Sequence, residues 1–198
     1  MIDSNFLFTL IAFYFVMYGT PGPNNAMVLA SGLKFGFLKT IPVMSGITIG
    51  HIVQLVIVCL GFGKIFQLYP NIQIGLKLIC SIYLVYLGYK VLGSLSSFSV
   101  NDARPVKFYE AALFQIVNPK AWTISSMVAS GFIISDVNPL KSIAIISAVA
   151  LVVCPLSISP WAGFGSAIKM FVQNHKMKVI IEYLLSCLLL LTAVLILL

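Results

Sequence analysis

A chain of 198 residues that is 60% hydrophobic and only 9% charged cannot be an ordinary water-soluble domain, in which roughly a quarter of residues carry charge. A mean hydropathy of +1.06 points to an integral membrane protein. The formal charge of +7 is scattered among connections rather than gathered on one face, which argues against nucleic-acid binding.

One membrane span takes ~20 apolar residues, so the chain holds about six spans and no separate soluble domain. Residues 1–198 therefore read as one transmembrane domain, all-α. Asp3, with no Lys or Arg before Lys34, does not look like a cleavable signal, so the segment from Phe6 reads as a retained first span.

The first span, residues 6–32, is interrupted by Thr20-Pro21-Gly22-Pro23-Asn24-Asn25. Pro21 and Pro23 remove two backbone donors and bias the residues before them away from helical angles. At membrane depth the freed carbonyls need partners from protein or a water-lined cavity. A helix restarting at Asn24 would aim its first N–H groups back into the break, an arrangement suited to a carboxylate. The amides of Asn24 and Asn25 can donate or accept there. The competing reading is a structural kink satisfied by neighbouring helices.

A short basic turn at residues 34–39 leads to a second span, residues 38–62. Gly46 and Gly50 form a small-xxx-small pair for close helix packing. His51 follows as a titratable candidate for ion coupling, or else as a buried histidine bonded to Gln54 or a backbone carbonyl. A loop near Lys64 to Asn71 precedes the third span, residues 72–92, where Tyr83, Tyr86 and Tyr89 share one side in packing and anchoring roles. The longest polar connection, residues 95–107 with Asp102 and Arg104, divides the chain near its middle.

The fourth span, residues 108–134, is broken at Gln115-Ile116-Val117-Asn118-Pro119-Lys120. Gln115 and Asn118 lie three apart and share a face. A lysine at mid-depth is costly and marks a functional site by default, with a substrate carboxylate as its partner. The plain alternative is a snorkelling lysine or one paired internally to Glu110 or Glu182. Those two acids, near the starts of spans four and six, are further coupling candidates. The fifth span, residues 139–171, is expected to be interrupted by Pro155 and Pro160, and the sixth covers residues 179–198.

Each half of the chain thus holds a broken span, a second span and an unbroken third. Ala30-Ser31-Gly32 recurs as Ala129-Ser130-Gly131 after each break. This predicts two three-span repeats, about 1–95 and 108–198. An odd number of spans per repeat inverts their topology. Lys34, Lys39, Lys90, Arg104, Lys107, Lys169, Lys176 and Lys178 fall on one side, against Lys64, Lys141 and Lys77 on the other. The positive-inside rule puts the first group in the cytoplasm and both termini outside.

Cys59, Cys80, Cys154 and Cys187 all fall in apolar stretches without metal-type spacing, and read as buried structural thiols. No paired acids, His-rich metal spacing or phosphate loop is present, and Ser125 and Ser126 have no neighbouring base. The reading is not an enzyme, with no cofactor and no metal.

At Pro21-Gly22-Pro23-Asn24-Asn25, at Gln115 to Lys120, and at Tyr83-Leu84-Val85-Tyr86-Leu87-Gly88, the chain resembles the LysE/RhtB family of amino-acid exporters, over its whole length. The doubled asparagine and the run from Phe108 to Gln115 look most like the cysteine/O-acetylserine exporter branch. Homoserine, threonine and leucine exporters share the framework. The resemblance implies a secondary transporter in the bacterial inner membrane, driven by a proton or other ion gradient rather than ATP, in contact with lipid and compatible with an oligomer. It carries Pro21, Gly22, Pro23 and Asn24 onto the first motif, and Asn118, Pro119 and Lys120 onto the second. Ser81 and Ser186 depart from the glycines expected in spans three and six. Two other readings stay open: an exporter of an ion or another small solute, and a non-transporting membrane scaffold.

Overall fold

The computed structural model describes residues 4–62, 68, 70–92, 104–133, 138–171 and 175–197, and among them every regular element is a helix. The loop expected around Lys64 and most of the polar connection, Asp102 included, lie outside the described residues.

Helix α1, Ser4–Gly19, stops two residues before Pro21, and α2, Pro23–Phe35, leaves it at 61°. Gly36 alone joins α2 to α3, Phe37–Ile57. Its φ of 87° suits glycine, and its N–H closes α2 on the carbonyl of Gly32 at 2.8 Å. A π-helical turn, Val58–Phe62, ends this arm. Then come α4, Pro70–Val91; α5, Phe108–Val117; α6, Pro119–Gly131; α7, Pro139–Phe171; and α8, His175–Leu197.

Among the described residues, three stretches are long and apolar enough to cross a membrane: Phe37–Gly61, Pro139–Ile168 and Lys176–Val194. The bent α1–α2 pair makes a fourth if counted as one span. The expected count of about six exceeds the stretches that qualify by length and composition among the described residues. The second break leaves only 10 and 13 residues on its two sides. In α4 the apolar stretch found among the described residues is Lys77–Tyr89.

The expectation that Pro155 and Pro160 interrupt the fifth span is corrected: α7 is helical through both. Each proline removes the donor for the carbonyl four residues earlier. For Pro160 that carbonyl is Leu156, and the Ser159 hydroxyl donates to it at 3.1 Å.

Close helix contacts set the arrangement. A Cβ at Gly46 would come within 2.2 Å of the Phe108 carbonyl, and one at Gly50 within 2.5 Å of that of Ala112, so α3 meets α5 backbone to backbone. One turn on, Gln54 donates to the Gln115 carbonyl at 3.1 Å. Both partners rise in number together, so α3 and α5 run parallel. Ser81 donates to the Ala193 carbonyl at 2.9 Å while Gly88 packs on Ser186, so α4 and α8 run antiparallel. The two serines fit the interface, and Ser81 adds a bond that glycine could not. Tyr14 donates to the Ile146 carbonyl and Trp161 to that of Gly19, which sets α1 parallel to α7. Gly32 crosses α7 at Ala162, where a Cβ would meet the carbonyl at 2.4 Å.

Leu10, Val28, Ile47, Leu84 and Ile146 are fully buried between the helices, whereas Phe15, Leu113, Ile82 and Leu184 face outward. An apolar outer surface is what lipid solvates. All four cysteines are free; Cys80 and Cys154 are buried and Cys59 half-buried, but Cys187 is exposed rather than buried. Apolar sequence alone does not tell a lipid-facing side from a packed one.

Candidate functional site

At the first break, Pro21 and Pro23 cannot donate, so the last carbonyls of α1 lose their helical partners. Pro23 takes the first helical position of α2, where a missing N–H costs nothing. Other side chains fill the gap. Asn25 Nδ2 donates to the carbonyls of Tyr18 at 2.8 Å and Thr20 at 2.7 Å. Trp161 Nε1 donates to Gly19 at 3.1 Å. The Lys120 ammonium donates to the Thr20 carbonyl at 2.7 Å, the Thr20 hydroxyl at 2.9 Å and the Pro21 carbonyl at 3.2 Å. A cation at the C-terminal end of α1 also opposes its dipole. Gly22 is extended, and a Cβ there would lie 2.9 Å from Lys120 Cδ, so the lysine stem passes over a bare backbone.

The second break is tighter. Asn118, at φ −81° and ψ 105°, is held extended by the proline after it. Its Oδ1 accepts from the Lys120 N–H at 3.1 Å and caps α6. The freed carbonyl of Ile116 takes the Trp122 indole N–H at 2.8 Å, and that of Gln115 takes Gln54.

The two breaks meet. Asn24 and Gln115 form a reciprocal amide pair, each donating to the other at 3.0 Å, and Asn118 Nδ2 donates to Asn24 Oδ1 at 3.1 Å. A cavity of about 20 Å³ lies at this junction, among Tyr18, Asn25, His51, Asn118 and Lys120. That is room for a water molecule and not for a larger solute. The Tyr18 hydroxyl, Asn25 Oδ1 and His51 Nε2 are buried there with no hydrogen-bond partner among the described residues. Buried polar atoms of this kind ordinarily find partners. The junction thus carries spare hydrogen-bonding capacity.

Comparison with known proteins gives the architecture a lineage. The family model for the LysE type translocator matches residues 15–198. The chain belongs to this family. As a LysE type translocator it is a membrane transporter and not an enzyme. Relatives include cysteine/O-acetylserine efflux proteins of Escherichia coli K12, Shigella sonnei and Shigella flexneri, each 24% identical over 147 residues, 74% of this chain and 75% of theirs. No solved structure matches it.

In this translocator, Pro21, Gly22, Pro23, Asn24, Asn25, Gln115, Asn118, Pro119 and Lys120 all sit at the two breaks, and His51 lines the same cavity. Glu110 and Glu182 do not. Glu110 pairs with Arg104 and accepts the Lys107 N–H at 2.8 Å at the start of α5. Glu182 is buried on α8, away from the cavity lining. Lys120 therefore donates to the Thr20 hydroxyl and to the Thr20 and Pro21 carbonyls, and not to Glu110 or Glu182, the partners that the alternative reading of an internally paired lysine offered. Gln54 serves the Gln115 carbonyl instead of His51. Thr20 stood in the first motif without being singled out as a site residue, and three further contributors escaped the motif reading: Tyr18, Trp122 and Trp161. Thr20 opens the first motif and Trp122 follows the second, so adjacency was their signal. Tyr18 and Trp161 carry none of comparable strength. Among the described residues no group of His, Cys, Asp or Glu is disposed to hold a metal ion.

Proposed function

We propose that this LysE type translocator exports a small neutral or polar amino acid or derivative from the bacterial cytoplasm across the inner membrane, by alternating access. The preferred substrates are cysteine- or O-acetylserine-like, following the named relatives, with homoserine, threonine and leucine as further candidates. The observation that carries this reading is the amide pair between Asn24 and Gln115, which joins two broken helices face to face. Paired breaks of this kind build midplane sites in secondary transporters.

The substrate carboxylate would meet the helix starts after Pro23 and Pro119, and compete with the Thr20 and Pro21 oxygens for Lys120. The amides of Asn24, Gln115 and Asn118 would exchange their mutual bonds for bonds to substrate. Because the junction holds only about 20 Å³, admission requires the breaks to separate. One transport domain with two inverted repeats suits the helix directions, and the charge count puts both termini outside. In an alternating six-span chain, spans two and four are parallel, one and five are parallel, and three and six are antiparallel; α3–α5, α1–α7 and α4–α8 follow that pattern. His51 is the titratable group beside the junction best placed to couple a proton gradient. Amides and a lysine disfavour a cation as cargo.

The test is efflux from loaded cells of cysteine, O-acetylserine, threonine, homoserine, leucine and lysine, with the wild-type protein and Asn24→Ala at matched membrane levels. Selective efflux lost in the variant supports the proposal. No efflux of any of them from correctly inserted protein counts against it and favours a scaffold.

A further inference from the structure

A second cavity, about 530 Å³, lies between α2, α4 and the start of α5. It is within the size range of small-molecule sites, whereas the junction is not. Its α2 wall is Met27, Ala30, Ser31 and Lys34, one helical face running away from the first break for about 10 Å. Tyr83 and Tyr86 of α4 and Phe114 of α5 face that wall. The end nearest the junction is shut by contacts. The Tyr83 hydroxyl lies 3.6 Å from Met27 Sδ, and the Tyr83 and Phe114 rings are 4.7 Å apart. Phe114 adjoins Gln115 in sequence, and Met27 stands three residues past Asn24. The other end carries Lys34, Arg104 and Glu110, from the connections that charge counting assigns to the cytoplasm.

We propose that this cavity is the cytoplasmic loading site, and that it binds the amino acid as a zwitterion ahead of the junction; the inference rests on the export reading. Arg104 and Glu110 form an ion pair at its wall, with side chains 55% and 32% exposed. A zwitterion inserts into such a pair without leaving a charge unmatched. Its ammonium takes Glu110 and its carboxylate takes Arg104 and Lys34, with guanidinium geometry suited to a carboxylate. Among the described residues the wall carries two cations and one acid, which disfavours a substrate with a second positive charge, such as lysine. The Tyr83–Met27–Phe114 contact then separates the loaded substrate from the junction until the breaks part.

The test uses the full chain in lipid nanodiscs and radiolabelled L-cysteine kept reduced, with L-cysteine amide and N-acetyl-L-cysteine as competitors, alongside efflux kinetics. For the wild type, both competitors bind at least tenfold more weakly than cysteine. Lys34→Gln is expected to raise the KM for efflux about tenfold and to reduce discrimination against the amide, with Lys34→Arg restoring both. Ala30→Trp, which fills the cavity, is expected to abolish binding with the protein still inserted. Unchanged KM and unchanged discrimination in Lys34→Gln, together with normal binding in Ala30→Trp, overturn the loading site while export stands. Absence of efflux from the wild type fails the export reading itself.

Discussion

The first break leaves Thr20, Pro21 and Gly22 outside any helix and turns the chain by 61°, whereas the second leaves only Asn118 outside. Both use an asparagine and a tryptophan to satisfy freed backbone groups, yet the donors differ in origin. At the second break, Asn118 and Trp122 are local, and only Gln54 comes from elsewhere. At the first, Asn25 is local but Trp161 and Lys120 arrive from the other half of the chain, 142 and 100 residues away. The first break thus draws two donors from the other half of the chain and the second break one. Lys120, which follows the second break and donates to the oxygens of the first, is the tie between them.

Removing the tie should have the largest effect. Lys120→Ala strands the Thr20 and Pro21 oxygens, and bonds from a charged donor are worth ~1.5–3 kcal/mol each. Export is expected to fall at least ~100-fold at matched membrane levels, since each 1.4 kcal/mol is a factor of about ten. Asn24→Ala comes next. It leaves the Gln115 and Asn118 amides short of partners at ~1–3 kcal/mol per group, and should cut initial efflux rates by about 10- to 100-fold.

The tryptophans test the asymmetry directly. Trp161→Phe and Trp122→Phe each delete one neutral bond of ~0.5–1.5 kcal/mol. If the donors from the other half matter to transport, Trp161→Phe slows efflux several-fold while Trp122→Phe mainly lowers the melting temperature in detergent. Equal effects on efflux would mean equivalent breaks. The smallest change belongs away from both: Ser159→Ala removes the hydroxyl that serves Leu156 in α7 and should cost about 1 kcal/mol or less of stability, with efflux within about twofold of wild type.

The break positions were legible because backbone chemistry fixes them locally. Two prolines spaced by one glycine remove adjacent donors and constrain two preceding residues, and no single neighbour repairs that. Pro155 and Pro160 broke the same rule less severely. They lie five residues apart, and Ser159 repairs the later one from within the helix. Gly46 and Gly50 were legible as a packing face through their spacing, though not their partner α5. The partners of Lys120 were not legible, because backbone carbonyls leave no mark in a sequence and Glu110 and Glu182 were the visible acids. Tyr18 and Trp161 escaped for the same reason: their roles arise only once α1 lies along α7.

The central claim is that the two breaks act as one junction. A double-mutant cycle on Asn24 and Gln115 tests it most directly, reading initial rates of cysteine efflux for Asn24→Ala, Gln115→Ala and the pair at matched membrane levels. If the junction is a unit, the double variant is no slower than the slower single variant, because either substitution already destroys the shared amide pair. If the two losses multiply, the breaks act independently and the junction is not the centre of transport.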